Sequence, residues 1–232
     1  MSVLAFPCAL HSHIFEQSES LRIKQILQEP SLQNLPGPLK DVVEQLSSLP
    51  GIGPKSALRI ALTLLKMPRE RAGGVGQSIL DLRENLCLCD ECACLAESSP
   101  CAICGDPGRD ADQLCLVPEW DALLAMEEMG IYKGRYLVLG GLLSPLDGVE
   151  PGHLEIDRLR RHLGNGEVTE LILALGATLD AESTASYIKN LVESEFAGVH
   201  VSRLAQGIPI GAEVKYMDKE TLKQSLVHRQ KV

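Results

Sequence analysis

CLCDECACLAESSPCAIC, residues 87–104, is the stretch on which the reading of this chain turns. It carries six of the eight cysteines. Cys89 and Cys92 form one C-x2-C pair, and Cys101 and Cys104 form a second after eight intervening residues. A tetrahedral Zn²⁺ site needs four thiolates converging on one point, and two such knuckles supply them from a short length of chain. Four protein ligands leave no position for water or substrate, so the expected site is structural. The alternatives are unrelated buried thiols, or disulfides in an exported protein. Cys87 and Cys94 lie in the same stretch, so spacing alone also admits a register that uses one of them. Cys8 and Cys115 stand apart and read as small apolar residues.

Outward from this joint the chain has two different characters. Its 232 residues leave room for one sizeable core and one or two small modules. No apolar run approaches the roughly 18 residues of a membrane span. The start, MSVLAFPCALHSHIF, lacks a basic leader region, so a soluble protein of the reducing cytosol is expected. A net charge of −9 argues against a generic basic coat for nucleic acid. It leaves local binding open, because the charge that matters is on the face meeting phosphate.

Residues 1–36 have no strong periodicity and read as an extension; His11 and His13 there read as surface histidines. From Pro38 onward, Leu39, Val42, Val43 and Leu46 recur at helical spacing, predicting a helix that ends near Ser48. LPGIG follows, and Pro54 opens a second helix at its favoured first-turn position. Ala57, Ile60, Ala61, Leu64 and Leu65 are its expected apolar face, with Lys55, Arg59 and Lys66 on the opposite stripe. Between Pro54 and Arg71 there are five basic residues and one acid, Glu70. This is the pattern of a helix-hairpin-helix. Gly51 and Gly53 let a phosphate approach the backbone at a helix N-terminus, and Lys55 and Arg59 add charge beside it. Such contacts fix position on DNA without reading its sequence. Gly73, Gly74 and Gly76 lack a following Lys-Ser/Thr and read as turn residues ahead of a helix that leads into the cysteines.

After the cysteines the period changes. Strands are expected at LCLV, RYLVLGG, TELILAL and GVHVSRLA, with helices at DALLAMEEMG, LEIDRLRRHLG and residues 181–194. That alternation predicts a largely parallel sheet covered by helices. GIPIGAEVKYMDKETLKQSL reads as an irregular arm or short hairpin before a last helix. In open α/β sheets functional groups gather at the carboxyl ends of strands. Glu119 and Asp147 are expected there, as Mg²⁺ ligands or as capping and loop acids. Asp180 and Glu182 pose the same choice after the third strand. No Ser-His-Asp or Cys-His arrangement and no Walker A sequence is present.

Taken in order, LPGIGPKSALRIALTLL, the cysteine pairs, GGLLSPLDGVEP and QGIPIGAEVKY resemble the RecR family of bacterial recombination mediators, over about residues 37–230. The resemblance implies a multi-part α/β architecture. A helix-hairpin-helix would occupy residues 37–86, a four-cysteine zinc ribbon 87–112, a Toprim parallel-sheet domain 113–205, and a C-terminal arm and helix 206–232. It places the zinc register on Cys89, Cys92, Cys101 and Cys104. It implies a non-enzymatic, ring-shaped tetramer that binds DNA. With RecO, and in some bacteria RecF, such proteins help load RecA onto single-stranded DNA in the cytoplasm. By the same resemblance Lys55 and Arg59 match DNA-contacting hairpin positions. Glu119 and Asp147 match Toprim acids implicated in partner contact or Mg²⁺ binding. Three features depart from the pattern. GATLDAE (residues 176–182) stands where N-P-T-x-E-G-E is common, Gly211-Ala212 replaces a Gly-Gly, and Asp147 lacks the Asp-x-Asp partner of catalytic Toprim enzymes.

Overall fold

A computed structural model describes residues 35–229, so the N-terminal segment with His11 and His13 lies outside the described residues. The chain forms two compact units that meet at Glu84/Asn85.

In the first unit, helix α1 (Gly37–Ser48) and helix α2 (Pro54–Lys66) are joined by a tight turn. The Ile52 N–H donates to the Leu49 carbonyl at 3.1 Å across Pro50 and Gly51. Proline first and glycine second is the pairing a type II turn requires, and Gly51 takes φ +79° there. Val43, Ala57 and Ala61 are buried between the helices, with Leu39, Leu46 and Ile52 packed around them. Small residues on α2 set this close helix contact. Leu65, expected on the apolar face, is 74% exposed, because the packed stripe narrows to Ala57 and Ala61.

Helix α3 (Arg69–Glu84) corrects one reading: Gly73, Gly74 and Gly76 lie inside it rather than in a turn. None of them takes a positive φ. Each costs about 1 kcal/mol relative to alanine, but the run Gln77–Glu84 consists mostly of good helix formers and carries the helix across them. No residue of α3 is buried within the chain.

The second unit opens with a minimal antiparallel hairpin, β1 (Cys87–Leu88) and β2 (Leu95–Ala96). A four-stranded sheet follows, formed by β3 (Asp110–Val117), β4 (Gly134–Val138), β5 (Glu170–Leu173) and β6 (His200–Arg203). Its order is β4-β3-β5-β6 and every pairing is parallel. The crossovers are helices α4 (Trp120–Glu128), α5 (Ile156–Gly164) and α6 (Leu179–Glu195). Both faces of the sheet are covered, which is why its strands read as continuous apolar runs. On one face Leu114, Leu116, Leu137, Leu171 and Leu173 pack with Leu159, Ile188 and Val192 of α5 and α6. On the other, Cys115, Val117, Tyr136 and Val138 pack with Leu123 of α4 and with the cysteine knuckles. The C-terminal segment is no hairpin; it contains a single 3₁₀ turn at Val214–Tyr216 before helix α7 (Lys219–Val227), which Asp218 caps by accepting from the N–H groups of Glu220 and Thr221.

Gly134 opens β4 where no side chain fits. A Cβ there would sit 2.2 Å from Tyr132 Oη and 2.8 Å from the Gln113 carbonyl oxygen. The Tyr132 hydroxyl is already committed to the Arg135 carbonyl. Gly134→Ala is expected to destabilise the second unit by about 2–3 kcal/mol, read as a lowered denaturant midpoint. An unchanged midpoint would contradict this packing.

Candidate functional site

The hairpin β1–β2 begins the cysteine centre. Its register continues one step beyond the strands, where the Cys89 N–H donates to the Cys94 carbonyl at 2.8 Å. Ala93, at φ +57°, closes the loop and donates to the Cys89 carbonyl at 3.0 Å. A second loop then returns Cys101 and Cys104. The four Sγ atoms of Cys89, Cys92, Cys101 and Cys104 all lie within 4.8 Å of one another. The Cys92–Cys101 separation is 3.6 Å. A tetrahedron with metal–sulfur bonds of about 2.3 Å has an edge of about 3.8 Å, so the arrangement fits a single tetrahedral metal ion, and thiolate donors suit zinc. Cys89, Cys92 and Cys101 are buried and Cys104 is half-buried.

The local electrostatics point the same way. The Cys101 N–H faces Cys89 Sγ at 3.3 Å, and the Cys104 N–H faces Cys101 Sγ at 3.4 Å. A hydrogen bond with the Cys104 thiol draws Cys92 down to about 5. In turn Cys92 pushes Cys104 far above the ordinary thiol range, with burial adding to the effect. Mutual repulsion among these crowded sulfurs is what a cation bound between them would relieve.

The knuckles are held from outside by residues that motif reading missed. On α5, Arg158 donates through Nη1 to the carbonyls of Cys89, at 2.9 Å, and Asp90, while its Nε pairs with Glu155 at 2.9 Å. One turn later the His162 Nε2 lies 2.8 Å from the Glu91 carbonyl oxygen. The Trp120 indole N–H donates to the Ala93 carbonyl at 2.9 Å. Val138, on edge strand β4, donates to the Cys92 carbonyl at 2.9 Å. The knuckle thus covers a sheet edge that would otherwise be bare. A signal was present in RLRRHL, where Arg158 and His162 share a helix face at i, i+4, but their targets lie far back in the chain, before the sheet begins. Arg158→Ala leaves all four ligands in place and removes two hydrogen bonds to the loop. Metal release to a chelator is expected to accelerate several-fold, and an unchanged release rate would contradict the clamp.

The helix-hairpin-helix candidates lie in the first unit. Gly51, Gly53, Lys55 and Arg59 are all exposed. Gly53 is the N-cap of α2, with no side-chain cap and Pro54 at the first helical position. A Cβ at Gly53 would meet nothing within 4 Å, and its φ of −83° is open to any residue. The chain itself does not require glycine there. Lys55 and Arg59 follow on the first turns of the same helix, and neither forms an ion pair among the described residues.

The acids behave differently from one another. Glu119 is the N-cap of α4, just past the carboxyl end of β3, and its Oε1 lies 3.9 Å from where a Gly141 Cβ would be. Asp147 sits in the tight loop after β4 and accepts the Ser144 hydroxyl at 2.7 Å. Both are exposed, and neither joins a converging set of three potential metal ligands among the described residues. Glu182 pairs with Arg203 at 2.9 Å and accepts from Gln206 at 3.2 Å, tying the start of α6 to the end of β6. Its part is structural. That corner borders a groove of about 820 Å³, lined among others by Gly176, Leu179, Arg203 and Thr221.

A parallel sheet covered on both faces, a cysteine centre on one face and a separate helical hairpin make this a multi-part α/β protein. Residues 39–82 match the family described as "RecR, helix-hairpin-helix", residues 112–205 the "Toprim domain" and residues 207–230 "RecR, C-terminal". Recombination protein RecR of Maridesulfovibrio salexigens is 67% identical over 201 residues, covering 87% of this chain and 100% of that one. Its counterpart in Nitratidesulfovibrio vulgaris is 55% identical over 199 residues, 86% of this chain and 99% of the relative. The protein of the same name in Porphyromonas gingivalis is 40% identical over 191 residues, 82% and 91% of the two chains. The chain belongs to the RecR family of recombination proteins. Its role is in recombinational repair, as a mediator rather than an enzyme. No helix among the described residues is long and apolar enough to cross a membrane.

Proposed function

We propose that this protein is a cytoplasmic DNA clamp and partner adaptor. It would assemble as a ring tetramer and, with RecO and where present RecF, help load RecA onto single-stranded DNA. The observation that carries the DNA reading is the uncapped N-terminus of α2 behind Gly53, flanked by Lys55 and Arg59, which form no ion pair among the described residues. Backbone amides and the positive end of the helix dipole suit a phosphate oxygen. The missing side chains at Gly51 and Gly53 leave the backbone open to it, and Lys55 and Arg59 extend the track to adjoining phosphates. None of these groups reads a base, so binding is independent of sequence.

In this reading Cys89, Cys92, Cys101 and Cys104 hold Zn²⁺. The metal supplies a rigid four-way cross-link at the start of the second unit, with no open coordination position for chemistry. Exposed Glu119 and Asp147 present negative charge at the carboxyl ends of adjacent strands. They suit a basic partner surface better than Mg²⁺, since no third acid converges with them among the described residues. Binding to labelled single-stranded and gapped DNA across a salt series tests the proposal. Log affinity is expected to fall linearly with log salt. No binding at low salt would sink it.

A further inference from the structure

The cysteine centre contains a fifth thiol. In the hairpin register Cys87 faces Ala96 and Leu88 faces Leu95, and the next pair, Cys89 with Cys94, is joined by the Cys89 N–H to Cys94 carbonyl bond. Residues directly opposite in an antiparallel pair project to the same side. Cys94 therefore shares the face from which Cys89 enters the metal site. Its side chain is 6% exposed and lies in one buried cluster with Cys89, Cys92 and Cys101. Cys104 places its N–H on Cys101 Sγ and its own sulfur within 4.8 Å of those of Cys92 and Cys101. Of the four proposed ligands, Cys104 alone is open to solvent: Cys89 and Cys92 are 0% exposed and Cys101 4%. An alkylating or oxidising reagent would reach Cys104 first.

We propose that Cys94 is a reserve ligand that takes the place of Cys104, so that Cys89, Cys92, Cys94 and Cys101 retain the metal when Cys104 is modified or lost. The inference rests on the reading of the four cysteines as a zinc site. The exchange is redox-neutral. The zinc–sulfur bond to Cys104 breaks, one to Cys94 forms, and the Cys94 proton passes to the departing sulfur or to water. Burial suits Cys94 to this part, because a free thiol held out of solvent is spared the reagent that attacks Cys104. Cys87 lies on the same strand face at i−2 from Cys89 and is the natural rival. It is half-buried, so it lacks that shelter.

The test uses full-length wild type and four variants: Cys94→Ser, Cys104→Ser, Cys94→Ser/Cys104→Ser and Cys87→Ser/Cys104→Ser. Each is loaded with zinc, and bound zinc per chain is followed during competition with a chelator. Wild type and Cys94→Ser are expected to hold one zinc. Cys104→Ser and Cys87→Ser/Cys104→Ser should hold it within about tenfold of wild-type affinity, and Cys94→Ser/Cys104→Ser should bind roughly a further hundredfold more weakly. Cobalt in place of zinc gives a second readout that does not need the double variant to fold. Cys104→Ser should keep the visible spectrum of a four-thiolate centre. A three-thiolate spectrum in Cys104→Ser, or equal affinity in Cys104→Ser and Cys94→Ser/Cys104→Ser, would overturn the reserve ligand while leaving the four-cysteine site standing. Wild-type protein that bound no zinc would overturn both.

Discussion

Cys92→Ala is expected to weaken metal binding at least about a hundredfold and to lower the stability of the second unit by about 4 kcal/mol or more. Cys92 is 0% exposed, and its sulfur lies 3.6 Å from that of Cys101. Its carbonyl also receives the Val138 N–H from the edge of the sheet. The segment around it has little else to hold it, since β1 and β2 contribute two residues each. The buried residues between Cys89 and Cys104 are four cysteines and Ala93, with Ala96 and Ile103 partly buried beside them. Metal coordination is then folding free energy for this segment rather than an addition to it. Without the ion, crowded thiols face one another in a dry site, and the contacts from Arg158, His162 and Trp120 lose their target. Thermal unfolding with and without chelator provides the measurement. Chelated wild type should melt like Cys92→Ala, and an unchanged melting temperature in either would refute a structural metal.

Lys55→Ala with Arg59→Ala should weaken DNA binding by more than about tenfold at moderate salt. The slope of log affinity against log salt should become shallower by about 1.8 on duplex, or about 1.4 on single strands. Each contact that neutralises a phosphate releases condensed counterion, so losing two contacts removes both affinity and salt dependence. Both side chains are exposed and neither forms an ion pair among the described residues, so the substitutions should leave stability nearly unchanged. The outcome would therefore report on binding. Unaltered affinity and slope would show that the phosphate track lies elsewhere.

What could be read in advance was local. The C-x2-C spacing prescribes how two short loops present sulfur, so a cysteine cluster was legible before any tertiary contact was known, while spacing alone left Cys87 and Cys94 as alternative members. The Pro-Gly turn and Pro54 likewise announce the α1–α2 hairpin through backbone chemistry confined to a few adjacent residues. The strands were legible as apolar runs, but their faces were not. LCLV is buried on both sides, so nothing in it tells that Leu114 and Leu116 meet α5 and α6 while Cys115 and Val117 meet the knuckles. The glycines of α3 misled because helix formers downstream outweighed their local cost. Arg158 escaped notice for a different reason: its partners, the carbonyls of Cys89 and Asp90, are backbone groups with no residue-type signature. Glu182 was ambiguous until Arg203 came within 2.9 Å.

A chain of net charge −9 reserves an exposed basic stripe for the first turns of α2 and keeps exposed carboxylates at the ends of β3 and β4. One surface suits phosphate and the other suits a basic protein.

Incubating the purified protein with end-labelled gapped DNA and Mg²⁺, and scoring bound fraction and strand integrity in the same sample, separates a mediator from a nuclease. A non-enzymatic mediator retains the DNA in complex with every strand intact. Cleaved strands, with cleavage lost in Glu119→Ala, would contradict a mediator role and make the acids at the sheet a catalytic pair.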